Sequence, residues 1–162
     1  MRRAIMYSIT YGEVTFEEMY QLIRNYTAHG SKIQYKLAVG TDSQNFSYTK
    51  VPITIGVHKF INDVGRGGIF FSEIRKVRKI TNTKQKILFE TGLSLEYAQK
   101  LQERFEKDNI YCPIAVHVDV GYNGPTAQFM DEVVGWVKSC GFLCEVKPNS
   151  YMASSVANRL SK

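Results

Sequence analysis

Apolar residues that recur every three or four positions predict a helix near the start of the chain. Thr15 followed three residues later by Glu18 is a capping-box pattern, in which each side chain satisfies a free backbone N–H at a helix start. The pattern predicts a helix over 16–27. Its inner face carries Met19, Leu22, Ile23 and Tyr26.

Mostly apolar runs after this helix predict the strands of a sheet. The runs are 35–41, 51–60, 69–80, 114–119 and 142–147. A glycine-rich stretch, 62–68, separates the second and third runs and is typical of a hairpin loop. The first three strands are therefore expected to form an antiparallel meander.

Helical patterns separate the later strands. Thr81, Asn82 and Thr83 are predicted to cap a long helix that runs to about Lys107. A second helix is predicted over 126–140 and a third from about 150 to 160. Strands joined through helices tend to be parallel. We therefore expect an α/β fold whose mixed five-stranded sheet has three antiparallel strands, two parallel strands and helices on its faces. We treat the chain as one domain, with 1–31 as an N-terminal extension and helix and 32–162 as the core.

The composition is typical of a globular domain and favours a cytoplasmic location. The chain has 162 residues, of which 44% are hydrophobic and 22% charged. It contains no apolar run of the roughly 18 residues that span a membrane and no apolar signal core, so we expect a cytoplasmic protein without a membrane partner. Its cysteines, Cys112, Cys140 and Cys144, are expected to be free thiols and lack a zinc-site pattern.

The positive charge of the chain is concentrated in one segment. The formal net charge is +6, and residues 74–89 contain six basic residues and no acidic one. These are Arg75, Lys76, Arg78, Lys79, Lys84 and Lys86. Such a patch is typical of phosphate-backbone binding, although a solvated surface is an equally good interpretation.

Two aspartates occupy the positions where α/β sheets bind ligands. Asp42 and Asp119 each end an apolar strand, and the carboxyl ends of neighbouring strands meet at one edge of a sheet. Two carboxylates placed side by side repel each other unless a cation neutralises them. A divalent metal is the simplest such cation.

The long helix offers a third carboxylate. At about 100° per residue, Glu90 falls about 60° from Ile87 and borders the apolar stripe, whereas Glu96 falls on the opposite side. A carboxylate at a packed face needs a basic residue or a metal as its partner. Glu90 therefore joins Asp42 and Asp119 as a candidate ligand.

Several segments together resemble the ribonuclease H-like superfamily, and within it the bacterial family typified by YkuK. They are Tyr-Gly-Glu-Val-Thr-Phe at 11–16, Gly-Thr-Asp-Ser-Gln at 40–44, the helix that bears Glu90, His-Val-Asp at 117–119, Lys-Pro at 147–148 and Ala-Ser-Ser-Val-Ala at 153–157. The resemblance implies a metal-dependent nuclease in which Asp42, Glu90 and Asp119 bind two Mg²⁺ or Mn²⁺ ions. Superfamily nucleases often add a fourth acid near the last helix, where this chain has Asn149 and Asn158.

The resemblance also suggests what lies around these acids. Ser43, Gln44 and Asn123 follow the acids in loops and are candidates for contacts with the backbone or sugar of DNA, RNA or a hybrid, and the basic segment is a candidate for flanking phosphates. His117 is a candidate proton shuttle or outer contact, although a structural histidine is the more common case. For Phe46 and Tyr48, packing within their turn is favoured over base stacking.

Two alternatives remain open beside the nuclease. The asparagines near the last helix and the basic segment also suit a non-catalytic nucleic-acid-binding module. Actin-like ATPases share this topology, but they clamp nucleotide between two such domains and are longer. Phosphate-loop, nucleophile-elbow and His-Glu-x-x-His motifs are absent from the sequence. The sequence leaves the oligomeric state open.

Overall fold

The protein is described by a computed structural model over residues 5–28, 32–121 and 126–147. Its strands are β1 (Ile5–Ser8), β2 (Gly12–Thr15), β3 (Ile33–Thr41), β4 (Gln44–Asn45), β5 (Thr49–Ile61), β6 (Val64–Val77), β7 (Ile114–Gly121) and β8 (Leu143–Lys147). Its α-helices are α1 (Phe16–Thr27), α2 (Thr83–Lys107) and α3 (Met130–Ser139), the last preceded by a 3-10 turn, Ala127–Phe129. Within these residues no helix is long and apolar enough to cross a membrane.

The strands form one mixed sheet, as the sequence predicts. Its order is β2-β1-β6-β5-β3-β7-β8, and the short β4 pairs with β5. The neighbours β3, β5 and β6 run antiparallel, whereas β3, β7 and β8 run parallel. The five predicted strands are thus confirmed as β3, β5, β6, β7 and β8, and the predicted number of strands was too small.

Two strands that were not predicted from the sequence, β1 and β2, form a hairpin before α1. β1 and β2 pair antiparallel, and Tyr7 of β1 pairs with Ser72 of β6. Met6 and Val14 are buried in the core. The segment before α1 therefore extends the sheet at its edge.

The connection between β5 and β6 is shorter than the sequence suggests. Asn62 and Asp63 both have positive φ, 51° and 63°, which is typical of a two-residue hairpin turn. Most of the glycine-rich stretch continues as strand, because β6 already begins at Val64. The long hairpin loop predicted at 62–68 is therefore wrong.

Local capping sets the starts of the first two helices. Thr15 and Glu18 form the predicted capping box of α1, whose bounds match the prediction. Asn82, within the predicted cap segment, caps α2 by accepting a 3.0 Å hydrogen bond from the backbone N–H of Gln85, and α2 ends at Lys107 as predicted. α3 begins four residues later than predicted, after the 3-10 turn. The predicted last helix lies outside the described residues.

The described helices pack on one face of the sheet. Leu37 and Val39 of β3 belong to a buried cluster that also contains Ile23 of α1, Leu101 of α2 and Val137 of α3. The alternate positions of β3 face the other way and are small, such as Ala38 and Gly40. In β3 the alternation therefore gives an apolar helix-facing row and an opposite row that leads through Ala38 and Gly40 to Asp42.

Candidate active site

The two aspartates lie at the carboxyl ends of adjacent parallel strands. Asp42 follows β3 directly, and Asp119 lies two residues before the end of β7. The parallel pairing ends at Gly40, which lies opposite His117. Continuing the same register for two residues places Asp42 opposite Asp119. Neighbouring strands lie about 4.8 Å apart. The topology thus brings together the two acids that the sequence singles out.

Glu90 reaches this edge of the sheet from α2. Its side chain is 5% exposed, and Ile87 one turn earlier belongs to the core. The backbone N–H of Ser43 donates a 3.2 Å hydrogen bond to Oε1 of Glu90, and the Ser43 hydroxyl donates to the same oxygen. The loop that begins with Asp42 is therefore tied to the carboxylate of α2.

The surroundings of Glu90 oppose its ionisation. The pKa of Glu90 is raised from 4.5 to about 7, chiefly by burial and also by the charges of Asp119 and Asp42. The hydrogen bond from Ser43 and the charge of Lys86 act in the opposite direction without cancelling the rise. A carboxylate that is buried beside two others attracts a cation.

A small polar cavity opens beside these groups. Its volume is about 180 Å³, which is room for about six water molecules at roughly 30 Å³ each. Its lining consists of Ser43, Asn45, Thr81, Thr83, Lys86, Ile87, Glu90, Asp119 and Thr126. Two of the predicted ligands, Glu90 and Asp119, thus share a cavity of suitable size for a hydrated ion.

The donor chemistry suits a hard divalent cation, although the described side chains do not form a closed cage. Among residues 5–28, 32–121 and 126–147, no group of three or more His, Cys, Asp or Glu side chains is arranged to hold a metal ion. Mg²⁺ commonly binds through one or two carboxylates and keeps several waters. Glu90 and Asp119, with Asp42 beside them, therefore fit such an ion.

His117 is engaged on the side of the sheet away from Glu90. It is buried, and its Nε2 lies 2.8 Å from Oε2 of Glu145 on the neighbouring strand β8. The other oxygen of Glu145 pairs with the ammonium of Lys36. This His117–Glu145–Lys36 chain is a structural network two residues from Asp119, and the described lining of the cavity does not include His117.

The six basic residues of segment 74–89 lie in different parts of the structure. Arg75 faces the helices, where its Nε lies 3.2 Å from Oε1 of Glu73 and its guanidinium 5.9 Å from the ring centre of Tyr97. Lys76 points the other way, with its Nζ 5.4 Å from the ring centre of Tyr48. Arg78 and Lys79 are exposed beyond the end of β6.

The last two basic residues of the segment lie on α2. Lys84 pairs with Glu132 of α3 at 3.1 Å, whereas Lys86 lines the cavity beside Glu90. The structure therefore does not gather the six basic residues on one surface. Lys86 is the member that reaches the acids.

The remaining predicted site residues are Gln44 and three asparagines. Gln44 is half-buried in β4 and pairs with Lys50 of β5. Asn123, Asn149 and Asn158 lie outside the described residues.

Sequence reasoning missed the polar lining of the cavity from the segment before α2. Thr81 and Thr83 flank the helix cap Asn82, and both line the cavity with Asn45 and Thr126. The signal for them was the cluster of threonine and asparagine at 81–83, which indicated only a helix cap. Ser43 was assigned to a nucleic-acid contact, and the structure places its hydroxyl on Glu90.

Comparisons with known proteins identify the family of this chain. A family model described as ribonuclease H-like matches residues 18–162, so the chain belongs to the ribonuclease H-like family. Within it, the chain is 28% identical over 171 aligned positions to the uncharacterised protein YkuK of Bacillus subtilis strain 168. The alignment covers 98% of this chain and 97% of that protein. No solved structure matches the chain.

Proposed function

We propose that this protein is a metal-dependent nuclease that hydrolyses phosphodiester bonds, with Asp42, Glu90 and Asp119 as the groups that hold its cations. The observation that carries the proposal is the buried Glu90, which shares a polar cavity with Asp119 and is hydrogen-bonded to Ser43 next to Asp42. A carboxylate is seldom buried without a compensating charge. Membership of the ribonuclease H-like family supports a nuclease-related function for the chain.

Each acid has a distinct part in this proposal. Asp42 and Asp119 are half-buried at the strand ends and lie where an incoming phosphate has access. Glu90 is held in place by two donors from Ser43, so that one of its oxygens keeps a fixed position. Two bound Mg²⁺ or Mn²⁺ ions would supply a water of lowered pKa and stabilise charge on the leaving oxygen.

Lys86 supports a polyanionic substrate at the same cavity. It lies one turn before Glu90 on α2 and lines the cavity with it. Lys86 is half-buried, so little water lies between its ammonium group and the cavity. Its attraction for a phosphate in the cavity is therefore weakly screened. We assign Lys86 to a phosphate of the substrate, and Arg78 and Lys79 to flanking phosphates.

The proposal is tested by cleavage of defined substrates. Labelled single strands, duplexes, RNA/DNA hybrid and a four-way junction are incubated with the protein in Mg²⁺, Mn²⁺ or EDTA. We expect metal-dependent cleavage that is lost in Asp42→Asn and Asp119→Asn. The matched control is Asp63→Asn, because Asp63 is exposed in the turn at the other end of β5 and asparagine tolerates its positive φ.

A second candidate function is a nucleic-acid-binding module without catalysis. The observation that favours it is that the described side chains do not form a closed metal cage. This candidate predicts that a well-folded protein cleaves none of the substrates with any metal and that Asp42→Asn leaves its affinity for nucleic acid unchanged. Loss of metal binding in Asp42→Asn together with loss of cleavage would exclude it.

A further inference from the structure

An exposed aromatic turn projects from the sheet close to the acids. Residues 46–48 connect β4 to β5 and are called the aromatic turn below. Phe46 is 47% exposed, and Tyr48 is half-buried beside it with ring centres 5.6 Å apart. Packing within the turn therefore leaves almost half of the Phe46 side chain in water.

Hydrogen bonds fix the base of this turn. The side-chain amide of Asn45 donates to the carbonyl oxygen of Ile80 at 3.0 Å, and the hydroxyl of Thr49 donates to Oδ1 of Asn45 at 2.6 Å. The backbone N–H of Ile80 donates to the hydroxyl of Thr49 at 2.8 Å, and Thr49 is fully buried. Within the turn, the N–H of Phe46 donates to the carbonyl of Tyr48 at 2.7 Å. Phe46 is thus presented by a backbone that is already ordered, which lowers the entropy lost on binding.

Positive charge lies next to the exposed ring. Lys50 of β5 is paired directly with Lys76 of β6, and the ammonium of Lys76 lies 5.4 Å from the ring centre of Tyr48. The two lysines therefore place positive charge beside the aromatic turn, where it can attract a phosphate.

The aromatic turn is also close to the proposed cutting site. Asn45 lines the cavity that contains Glu90 and Asp119, and Phe46 follows it in the chain. Phe46 is four positions after Asp42, so their Cα atoms are at most about 14 Å apart. A nucleic acid whose phosphate lies at the acids would therefore place a neighbouring nucleotide at the turn.

We infer that the aromatic turn, with Lys50 and Lys76, binds an unpaired nucleotide next to the cut, so that the preferred substrate is single-stranded at this position. In a duplex, both faces of an interior base are covered by its neighbours, whereas an unpaired base can stack on an aromatic side chain. Phe46 supplies the stacking surface, and the two lysines hold the adjacent phosphate. This inference rests on the proposed function for the position of the cut, but its binding step does not require cleavage.

The test measures binding in EDTA, where no cleavage is expected. Fluorescence anisotropy compares a labelled single strand with a duplex of the same sequence, for the wild type, Phe46→Ala and Phe46→Trp. We expect the wild type to prefer the single strand and Phe46→Ala to lose about 5- to 100-fold of that affinity. Phe46→Trp should keep the affinity, because it retains an aromatic face.

The matched control is Tyr111→Ala, because Tyr111 is 89% exposed and lies next to β7 at the end of that strand away from Asp119. A Lys76→Ala variant should weaken binding and lower the salt dependence of the affinity by about one counterion. Equal loss in Phe46→Ala and Tyr111→Ala, or equal affinity for duplex and single strand, would overturn the inference. Thermal unfolding of each variant shows whether it is folded.

The two proposals fail in different ways. If the protein binds single strands through Phe46 and cleaves nothing, the nuclease proposal fails. The inference that the aromatic turn binds an unpaired nucleotide then still holds. If the wild type cleaves but Phe46→Ala binds and cleaves as well as the wild type, the inference about the aromatic turn fails alone.

Discussion

Replacing Glu90 by glutamine should stabilise the metal-free protein, and more strongly at pH 8 than at pH 5. Glutamine keeps the oxygen that accepts from Ser43 and removes the charge. The pKa of Glu90 is raised from 4.5 to about 7 in the folded state, so folding favours the protonated form. The stability that this proton gives is present below about pH 4.5 and is lost as the pH rises towards 7.

The size of the effect follows from the same shift. Compared with a Glu90 that stays protonated in both states, a rise from 4.5 to about 7 lowers the free energy of unfolding by about 3 kcal/mol at pH 8 and by about 1 kcal/mol at pH 5. Urea unfolding in EDTA at the two pH values measures the difference between wild type and Glu90→Gln. We expect the advantage of the variant to grow by about 2 kcal/mol between them.

A matched glutamate shows whether burial is the cause. Glu103 lies on the solvent side of the same helix, and Glu103→Gln should change the free energy of unfolding little at either pH. The reasoning is refuted if Glu90→Gln has the same effect at pH 5 and pH 8, or if it destabilises the protein at pH 8.

Three further variants, one of them with a matched control variant, test which contacts stabilise the scaffold. Gly68→Ala should destabilise by about 1–3 kcal/mol in urea unfolding, because its Cβ would lie 2.6 Å from the carbonyl oxygen of Val57, whereas Gly135→Ala meets nothing within 4 Å and should be neutral or stabilising. Glu145→Ala should cost about 1–3 kcal/mol, because it removes a partner of His117 and Lys36, and it should leave Mn²⁺ affinity by calorimetry unchanged if His117 is structural. Thr15→Ala should cost about 1 kcal/mol in thermal unfolding through the lost cap of α1, and no change would contradict the capping interpretation.

The elements predicted most accurately are those with a local signal at their ends. α1 and α2 begin where Thr15 and Asn82 cap them, since a cap depends on side chains within three residues. The hairpin of β1 and β2 was missed because four-residue strands carry little periodicity and gain their burial from β6 and α1. The hairpin loop at 62–68 was predicted too long. The turn is set by the positive φ of Asn62 and Asp63, a backbone property that the glycine-rich composition of the segment does not reveal.

The candidate site was predictable where it depends on periodicity. The strand ends predict Asp42 and Asp119, and the phase of α2 separates the buried Glu90 from the exposed Glu96. The bond from Ser43 to Glu90 joins residues 47 positions apart, so no local pattern contains it. The division of the basic segment follows from strand alternation at Arg75 and Lys76, which face opposite sides of the sheet.

Glu90 links the stability of this fold to its proposed function. A glutamine would fill the same space without the penalty of a buried charge, so the carboxylate is favourable only when a cation occupies the cavity. An ion that binds the folded state alone stabilises it by about 2.7 kcal/mol at a hundred times its dissociation constant. Mn²⁺ at pH 8 should therefore raise the unfolding temperature of the wild type and have a much smaller effect on Glu90→Gln. An equal rise in both proteins would mean that the metal binds elsewhere, and the cavity beside Asp119 would then lose its assignment as the metal centre.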